Sequence, residues 1–380
     1  MTYVYLDYNA STPVDQRVLD AMLPFHCQFY GNPSSISLMG RQARAGIDQA
    51  RQQVAALVSV HPSQVLFTSG GTEANNLAIK GAAMAQGLKR VAWSAVEHPS
   101  ILRQSAMLSR LGTQCSEIPV DSTGRVNQGE FKRYLESVKP QLVSVMTANN
   151  ETGVIQDIAE LTALKRDVIF HTDAVQAAGK IQLKFEAMGV DLMTLSSHKI
   201  YGPKGVGALI FNKSIDLEPL INGGGHEGGL RAGTENVAGI VGFGAAAELA
   251  KAELQDRQDK LSALRKSLED GIKKIPGVHL FAQEVPRLAN TCYFGIEGIE
   301  GEAMVLRLDQ QGFGITSGSA CSSKSGKPSN TLLKMGVEES LAATAIRVSV
   351  GKETKKQDID EFIAELTQQA GQFHSIILGN

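Results

Sequence analysis

Between residues 64 and 211, short apolar runs alternate with stretches of helical periodicity, and no other feature restricts the fold as much. The runs at 64–68, 90–94, 142–147, 168–172, 190–195 and 206–211 have the length of buried strands. Helical spacing fills 73–84, 100–111 and 158–165 between them. Strand–helix–strand units of this kind build an α/β fold, a mostly parallel sheet covered by helices. Ligands of such sheets sit beyond the carboxyl ends of the strands. Residues that directly follow each run are therefore the functional candidates.

Lys199 is the sharpest of them. It stands in Ser197-His198-Lys199-Ile200-Tyr201-Gly202-Pro203-Lys204-Gly205, between two apolar runs. A buried amine loses basicity and becomes nucleophilic, the state that forms a Schiff base with an aldehyde cofactor. A solvated lysine at a turn tip is the plain alternative.

Other strand ends supply compatible groups. Gly70, Gly71 and Thr72 sit where a strand hands over to a helix, which turns backbone N–H groups and the helix dipole toward an anion. Glycine also serves such turns for steric reasons alone. The loop has neither the Walker A lysine nor G-x-G-x-x-G spacing. Asp173, at the end of an apolar run, needs a positive partner, and a protonated pyridine nitrogen is one; capping the next segment is the other explanation. His98 can stack on a planar ring and move protons, or serve as a loop or cap residue. Asn149-Asn150-Glu151-Thr152-Gly153 follows another run and reads by itself as turn chemistry.

A chain of 380 residues is long enough for two domains. With 37 basic and 39 acidic residues, a nucleic-acid surface as the main business is disfavoured. Cys27, Cys115, Cys292 and Cys321 form no C-x-x-C pair and suit a reducing cytosol. The first three are expected to be buried structural cysteines. Cys321 differs, lying in a serine- and glycine-rich stretch that suits a mobile arm. The N-terminus lacks a signal-peptide pattern, and no apolar run approaches the ~18 residues that span a bilayer. A soluble, cytoplasmic protein without membrane contact is expected.

Pro13 suits a helix first turn, and Ser35 an N-cap for the helical spacing of Met39, Ala43, Ile47, Ala50, Val54 and Leu57. A charged helical stretch at 248–275 reads as a connector, and 358–372 as the last helix. The expected division is a large domain at 15–255 and a small α/β domain made of 1–14 and 256–380, which carries the Cys321 loop.

Eight motifs in order carry a family resemblance: Tyr5-Leu6-Asp7-Tyr8-Asn9-Ala10, Gly31-Asn32-Pro33-Ser34-Ser35, Phe67-Thr68-Ser69-Gly70-Gly71-Thr72-Glu73, the Asn149 and Lys199 stretches, Gly223-Gly224-Gly225-His226-Glu227, Arg231-Ala232-Gly233-Thr234-Glu235-Asn236, and Ser317-Gly318-Ser319-Ala320-Cys321-Ser322. With these the chain resembles the NifS/IscS-type cysteine desulfurases of the class V aminotransferase superfamily, fold type I enzymes that use pyridoxal 5'-phosphate. The resemblance implies that Lys199 carries the cofactor, Asp173 pairs with its ring nitrogen, Gln176 bonds its ring hydroxyl and His98 stacks on the ring. It implies that Gly71, Thr72, Ser196 and His198 hold the phosphate, with Thr234 reaching it from the second subunit of a homodimer. Asn150 and Arg347 would grip the substrate carboxylate, a task for a guanidinium fork.

The implied reaction converts L-cysteine to L-alanine and leaves a persulfide on Cys321 for a sulfur-acceptor protein. The acceptor would serve iron–sulfur cluster assembly, tRNA thiolation or DNA phosphorothioation. The rivals are a selenocysteine lyase or another class V aminotransferase-like enzyme, and a sulfur-carrier platform without turnover. The chain departs from the IscS pattern in its short end after Arg347, and residues 231–237 look closer to the NifS branch, which puts a general iron–sulfur role in doubt.

Overall fold

The computed structural model describes residues 3–318 and 328–378. Its main sheet has seven strands, in the order Val65–Thr68, Gly207–Phe211, Leu192–Ser196, Ile169–Asp173, Leu142–Ser144, Arg90–Ser94 and Gln114–Ile118. Gly207–Phe211 runs antiparallel to both its neighbours, and the remaining pairings are parallel. The inner strands are buried on both faces, which is why they read as unbroken apolar runs. Gln114–Ile118, a polar edge strand with only Ile118 buried, gave no such run and is absent from the sequence expectation.

A second, antiparallel sheet joins Thr316–Ser317, Ala345–Ser349, Thr291–Ile296 and Val278–Leu280. The N-terminal strand Val4–Tyr5 pairs with Phe313–Gly314. The apolar residues follow this partition. Ile47, Val54, Phe67, Phe170, Met193 and Phe243 share one core, while Leu6 joins Leu261, Leu268, Phe294, Ile346 and Phe362 in another. The segment after Asp7 links the two sheets: Asn9 N–H donates to Ser349 Oγ (2.9 Å), and Thr12 N–H to the His198 carbonyl (3.0 Å).

Helix boundaries depart from the sequence expectation in three places. Ser37, not Ser35, caps Leu38–Val58, because its Oγ accepts from Gly40 N–H at 3.2 Å. Pro13 lies outside the first helix, Gln16–Cys27, which Asp15 caps. The stretch at 248–275 is two helices, Val237–Ala252 and Leu254–Ile272, meeting at Glu253. The first of these is rich in Gly and Ala and buried on most of its circumference, so it packs closely on Leu38–Val58 and Gln16–Cys27. The last helix is Lys356–Leu378. Among the described residues no helix is long and apolar enough to cross a membrane.

Candidate active site

The parallel strands end at one edge of the main sheet, and a cavity of 440 Å³ opens there. Lys199, Asp173, His98, Gln176, Asn150 and Arg347 line it, and so do Gly71, Thr72, Ser196 and His198. Residues far apart in the sequence thus meet at the carboxyl ends of the strands, as the fold class requires. Thr234 is exposed and is not part of this lining. Cys321 lies outside the described residues.

Lys199 closes the short helical turn Ser197–Lys199 that follows Leu192–Ser196. It is half-buried rather than buried, a correction to the sequence expectation, because its end faces the cavity. Its Nζ donates to the main-chain carbonyls of Asn9 and Ala10, the latter at 2.9 Å. The N-terminal segment therefore contributes an acceptor to the site through its backbone, which side-chain chemistry could not announce.

Asp173 is the last residue of its strand and is buried. Oδ1 accepts from Val175 N–H at 2.9 Å and Oδ2 from Asn75 Nδ2 at 2.7 Å. Asn75 Nδ2 also donates to Ser100 Oγ at 2.8 Å, and that hydroxyl lies 2.8 Å from His98 Nδ1. Ser100 N–H donates to the same ring nitrogen at 3.1 Å. Nδ1 is therefore an acceptor, which places the proton of the neutral ring on Nε2. Burial lowers the His98 pKa, as does the charge of Lys199, while Asp173 opposes the shift. His98 is both the N-cap of Pro99–Leu102 and a wall of the cavity, so its two sequence readings coincide.

His198 is driven down to about 4 by burial and by the charges of Lys199 and Lys204, so its ring is neutral near pH 7. Gly71 is needed for contact: a Cβ there would come within 2.9 Å of Val175 Cγ2. Its neighbour Gly70 has φ +154°. The two glycines bring the backbone of the strand-to-helix turn against the cavity wall.

Arg347, on the strand Ala345–Ser349, reaches the cavity from the other side. Nη2 pairs with Asp7 Oδ1 at 2.7 Å, and Nη1 donates to the Asn150 carbonyl at 2.9 Å. Nε is buried and has no acceptor among the described residues. Glu151, next to Asn150, accepts from Ser329 Oγ (2.5 Å), Thr331 Oγ1 (2.8 Å) and Tyr293 OH (3.1 Å).

Asp7, Asn75, Glu97 and Lys180 also serve the site or its supports and were missed in the sequence. Asp7 and Asn9 stood in a motif that suggested no role for either side chain. Of the three cysteines expected to be buried, Cys292 is buried, Cys115 is half-buried and Cys27 is exposed near the end of its helix. For Cys27 the expectation is corrected.

Comparison with known proteins adds an independent line. The family model described as Aminotransferase class-V matches residues 4–362. A protein of Dictyoglomus turgidum named "Cysteine desulfurase IscS" is 43% identical over 94% of this chain and 92% of its own length. A solved structure titled "NifS-like protein" superposes with a TM-score of 0.91 at 35% identity, covering 97% of this chain and all (100%) of the other. Another, titled "SspA in complex with cysteine", has a TM-score of 0.81 at 32% identity and covers 91% and 98% of the two chains.

Proposed function

The chain belongs to the class-V aminotransferase family, and on that premise we propose that it is a pyridoxal-phosphate-dependent cysteine desulfurase that converts L-cysteine to L-alanine. The observation that carries this reading is the meeting of Lys199, Asp173 and Arg347 in one cavity. A nucleophilic amine, a buried carboxylate and a guanidinium fork suit an aldehyde cofactor, its ring nitrogen and an amino-acid carboxylate respectively.

The residues present fit the cofactor. The buried Asp173 carboxylate accepts from the neutral donors Asn75 Nδ2 and Val175 N–H, which suits a protonated ring nitrogen as its positive partner. Backbone approach at Gly71 suits a phosphate. When bound, pyridoxal 5'-phosphate supplies an electron sink that weakens the bonds at the substrate α-carbon. The chain's own groups do the rest.

Lys199 Nζ would anchor the cofactor and supply the amine that moves the α-proton. Asp173 would pair with the protonated ring nitrogen, Gln176 would bond the ring hydroxyl and His98 would stack on the ring. Gly71, Thr72, Ser196 and His198 would hold the phosphate, and Thr234 would complete that cradle in the second copy of a homodimer. Arg347 would orient the substrate carboxylate with Asn150 beside it; Asp7 and the Asn150 carbonyl take one N–H each of Nη2 and Nη1, which leaves further donors of the fork. The Cys321 thiolate attacks the sulfur of L-cysteine, the C–S bond breaks with its electron pair left on the β-carbon, which takes a proton to become the methyl group of alanine, and the outer sulfur of the Cys321 persulfide passes to an acceptor protein. We place the enzyme in the cytoplasm. Residues 15–255 form its cofactor domain, and 1–14 with 256–380 the domain of the cysteine segment.

The test uses purified, cofactor-loaded protein with L-cysteine and an added thiol, which reduces the persulfide and releases its outer sulfur as sulfide, following alanine and sulfide. Equal formation of both is expected. Cys321→Ser is expected to keep the yellow cofactor and release no sulfide; undiminished sulfide release from that variant would sink the mechanism. Selenocysteine run in parallel decides between a desulfurase and a selenium-specific lyase.

A further inference from the structure

Lys180 sits behind the cavity without lining it. Among the described residues its amine meets two amide oxygens and no carboxylate. Burial, with the charges of Lys199 and Arg347, drives it well below the ordinary lysine range. A buried cation without a counter-ion is costly to keep.

Its contacts explain what it holds. Lys180 Nζ donates to Gln176 Oε1 at 2.9 Å and to Asn9 Oδ1 at 3.1 Å. Gln176 Nε2 donates to the Asn9 carbonyl at 2.9 Å. A carbonyl only accepts, so the Asn9 contact fixes the amide: Nε2 faces the Asn9 carbonyl and Oε1 faces Lys180. The second N–H of Nε2 is left for other acceptors. The same logic fixes Asn9, whose Oδ1 also accepts from Asn290 Nδ2 (2.9 Å). Its Nδ2 donates to Thr291 Oγ1 (2.9 Å) and to the Asn150 carbonyl (3.3 Å). The Asn9 carbonyl in turn accepts from Lys199 Nζ.

We propose that Lys180 is a positioning residue for the Lys199 centre, locking the Gln176 amide so that Nε2 serves the cavity and clamping Asn9, on whose carbonyl the Lys199 amine rests. This deepens the proposed function and rests on it. Lys199 and Arg347 face Lys180 with positive charge, Asp7 offsets Arg347, and Asp173, His98 and His198 surround Lys199. Lys180 thus contributes a fixed donor geometry and, in its protonated form, a positive charge, and it is the charge that opposes protonation of the cofactor-bearing nitrogen. Its removal moves the pH midpoint of the bound cofactor's absorbance upward.

Wild type, Lys180→Met and Lys180→Gln are compared as holoenzymes by absorbance titration and steady-state kinetics. For Lys180→Met the midpoint is expected to rise by roughly one pH unit. Its kcat is expected to fall about tenfold with KM for L-cysteine within about twofold. Lys180→Gln, which keeps an N–H donor, is expected to recover part of both changes. Adding Gln176→Ala to Lys180→Met is expected to give less than the sum of the single effects.

A wild-type midpoint and kcat in Lys180→Met overturn the inference, as does a change confined to thermal stability. Should Lys180→Met fail to fold, the Lys180→Gln titration decides by the same criterion, and failure of both variants to fold overturns a positioning role. A wild type that takes up no cofactor overturns the proposed function and this inference with it. A normal wild type beside unchanged variants overturns this inference alone.

Discussion

Nη2 of Arg347 lies 2.7 Å from Oδ1 of Asp7, and both side chains are largely withdrawn from solvent, 4% and 14% exposed. Asp7 comes from the N-terminal segment and Arg347 from the strand Ala345–Ser349, so the pair ties the start of the chain to the small sheet. The carboxylate occupies one arm of the fork and the Asn150 carbonyl another. The guanidinium is thereby aimed before substrate arrives.

Asp7→Ala removes that aim. Breaking one side of a buried ion pair costs about 3–5 kcal/mol, because the remaining charge is left uncompensated. The thermal transition is expected to fall accordingly. In kinetics KM for L-cysteine is expected to rise about tenfold, with a smaller change in kcat, because ground-state positioning of the carboxylate is lost. An unchanged KM in a folded Asp7→Ala enzyme would show that Asp7 does not position Arg347.

Asn75→Ala cuts the chain that runs from Asp173 through Asn75 and Ser100 to His98. Asp173 Oδ2 loses its donor inside a buried site, a loss of about 1–3 kcal/mol. Cofactor affinity, measured by equilibrium dialysis of pyridoxal 5'-phosphate, is expected to fall roughly ten- to hundredfold. Affinity equal to wild type would place Asn75 outside the cofactor site.

Physical differences among these residues explain what the sequence disclosed. The inner strands were legible because burial on both faces forces continuous apolar runs, whereas Gln114–Ile118 at the edge has no such constraint. Lys199 and Asp173 stood out because charged side chains beside apolar runs need partners, whereas Arg347 entered only through the family resemblance. Asn9 acts mainly through a carbonyl that every residue possesses, and Asn75 sits within a helix where asparagine has no distinctive signature. Lys180 was hidden for another reason. Its partners are Gln176, four residues before it, and Asn9, which only the folded chain brings near.

Glu97 predicts a pH dependence of stability. Its Oε1 accepts from Ser94 Oγ and Met146 N–H, each at 2.6 Å, and Oε2 is buried without a partner among the described residues. Burial, reinforced by the Asp173 charge, raises its pKa from the ordinary carboxylate value of 4.5 to about 8. Between these values the folded protein holds a proton that the unfolded chain has released. Stability from this group is therefore complete below the unfolded value and falls as pH rises toward the folded one. The slope is about 1.4 kcal/mol per pH unit. Glu97→Gln, which mimics the protonated carboxyl, is expected to flatten that slope in denaturant titrations; an identical slope in both proteins would remove Glu97 as its source.

Gly207 ties backbone packing to the proposed phosphate cradle. It pairs with Thr68 on one side and Ser196 on the other. A Cβ at Gly207 would lie 2.7 Å from the Gly70 backbone and 2.8 Å from the Leu195 carbonyl. Neither is a flexible side chain that could swing aside, so Gly207→Ala must push the Ser69–Gly71 turn away from the sheet. A cost of about 1–3 kcal/mol is expected in unfolding experiments. Because the displaced turn carries Gly71 and Thr72, affinity for pyridoxal 5'-phosphate is expected to fall in the same variant. Loss of stability with undiminished cofactor affinity would separate Gly207 packing from the cradle and count against phosphate binding at Gly71.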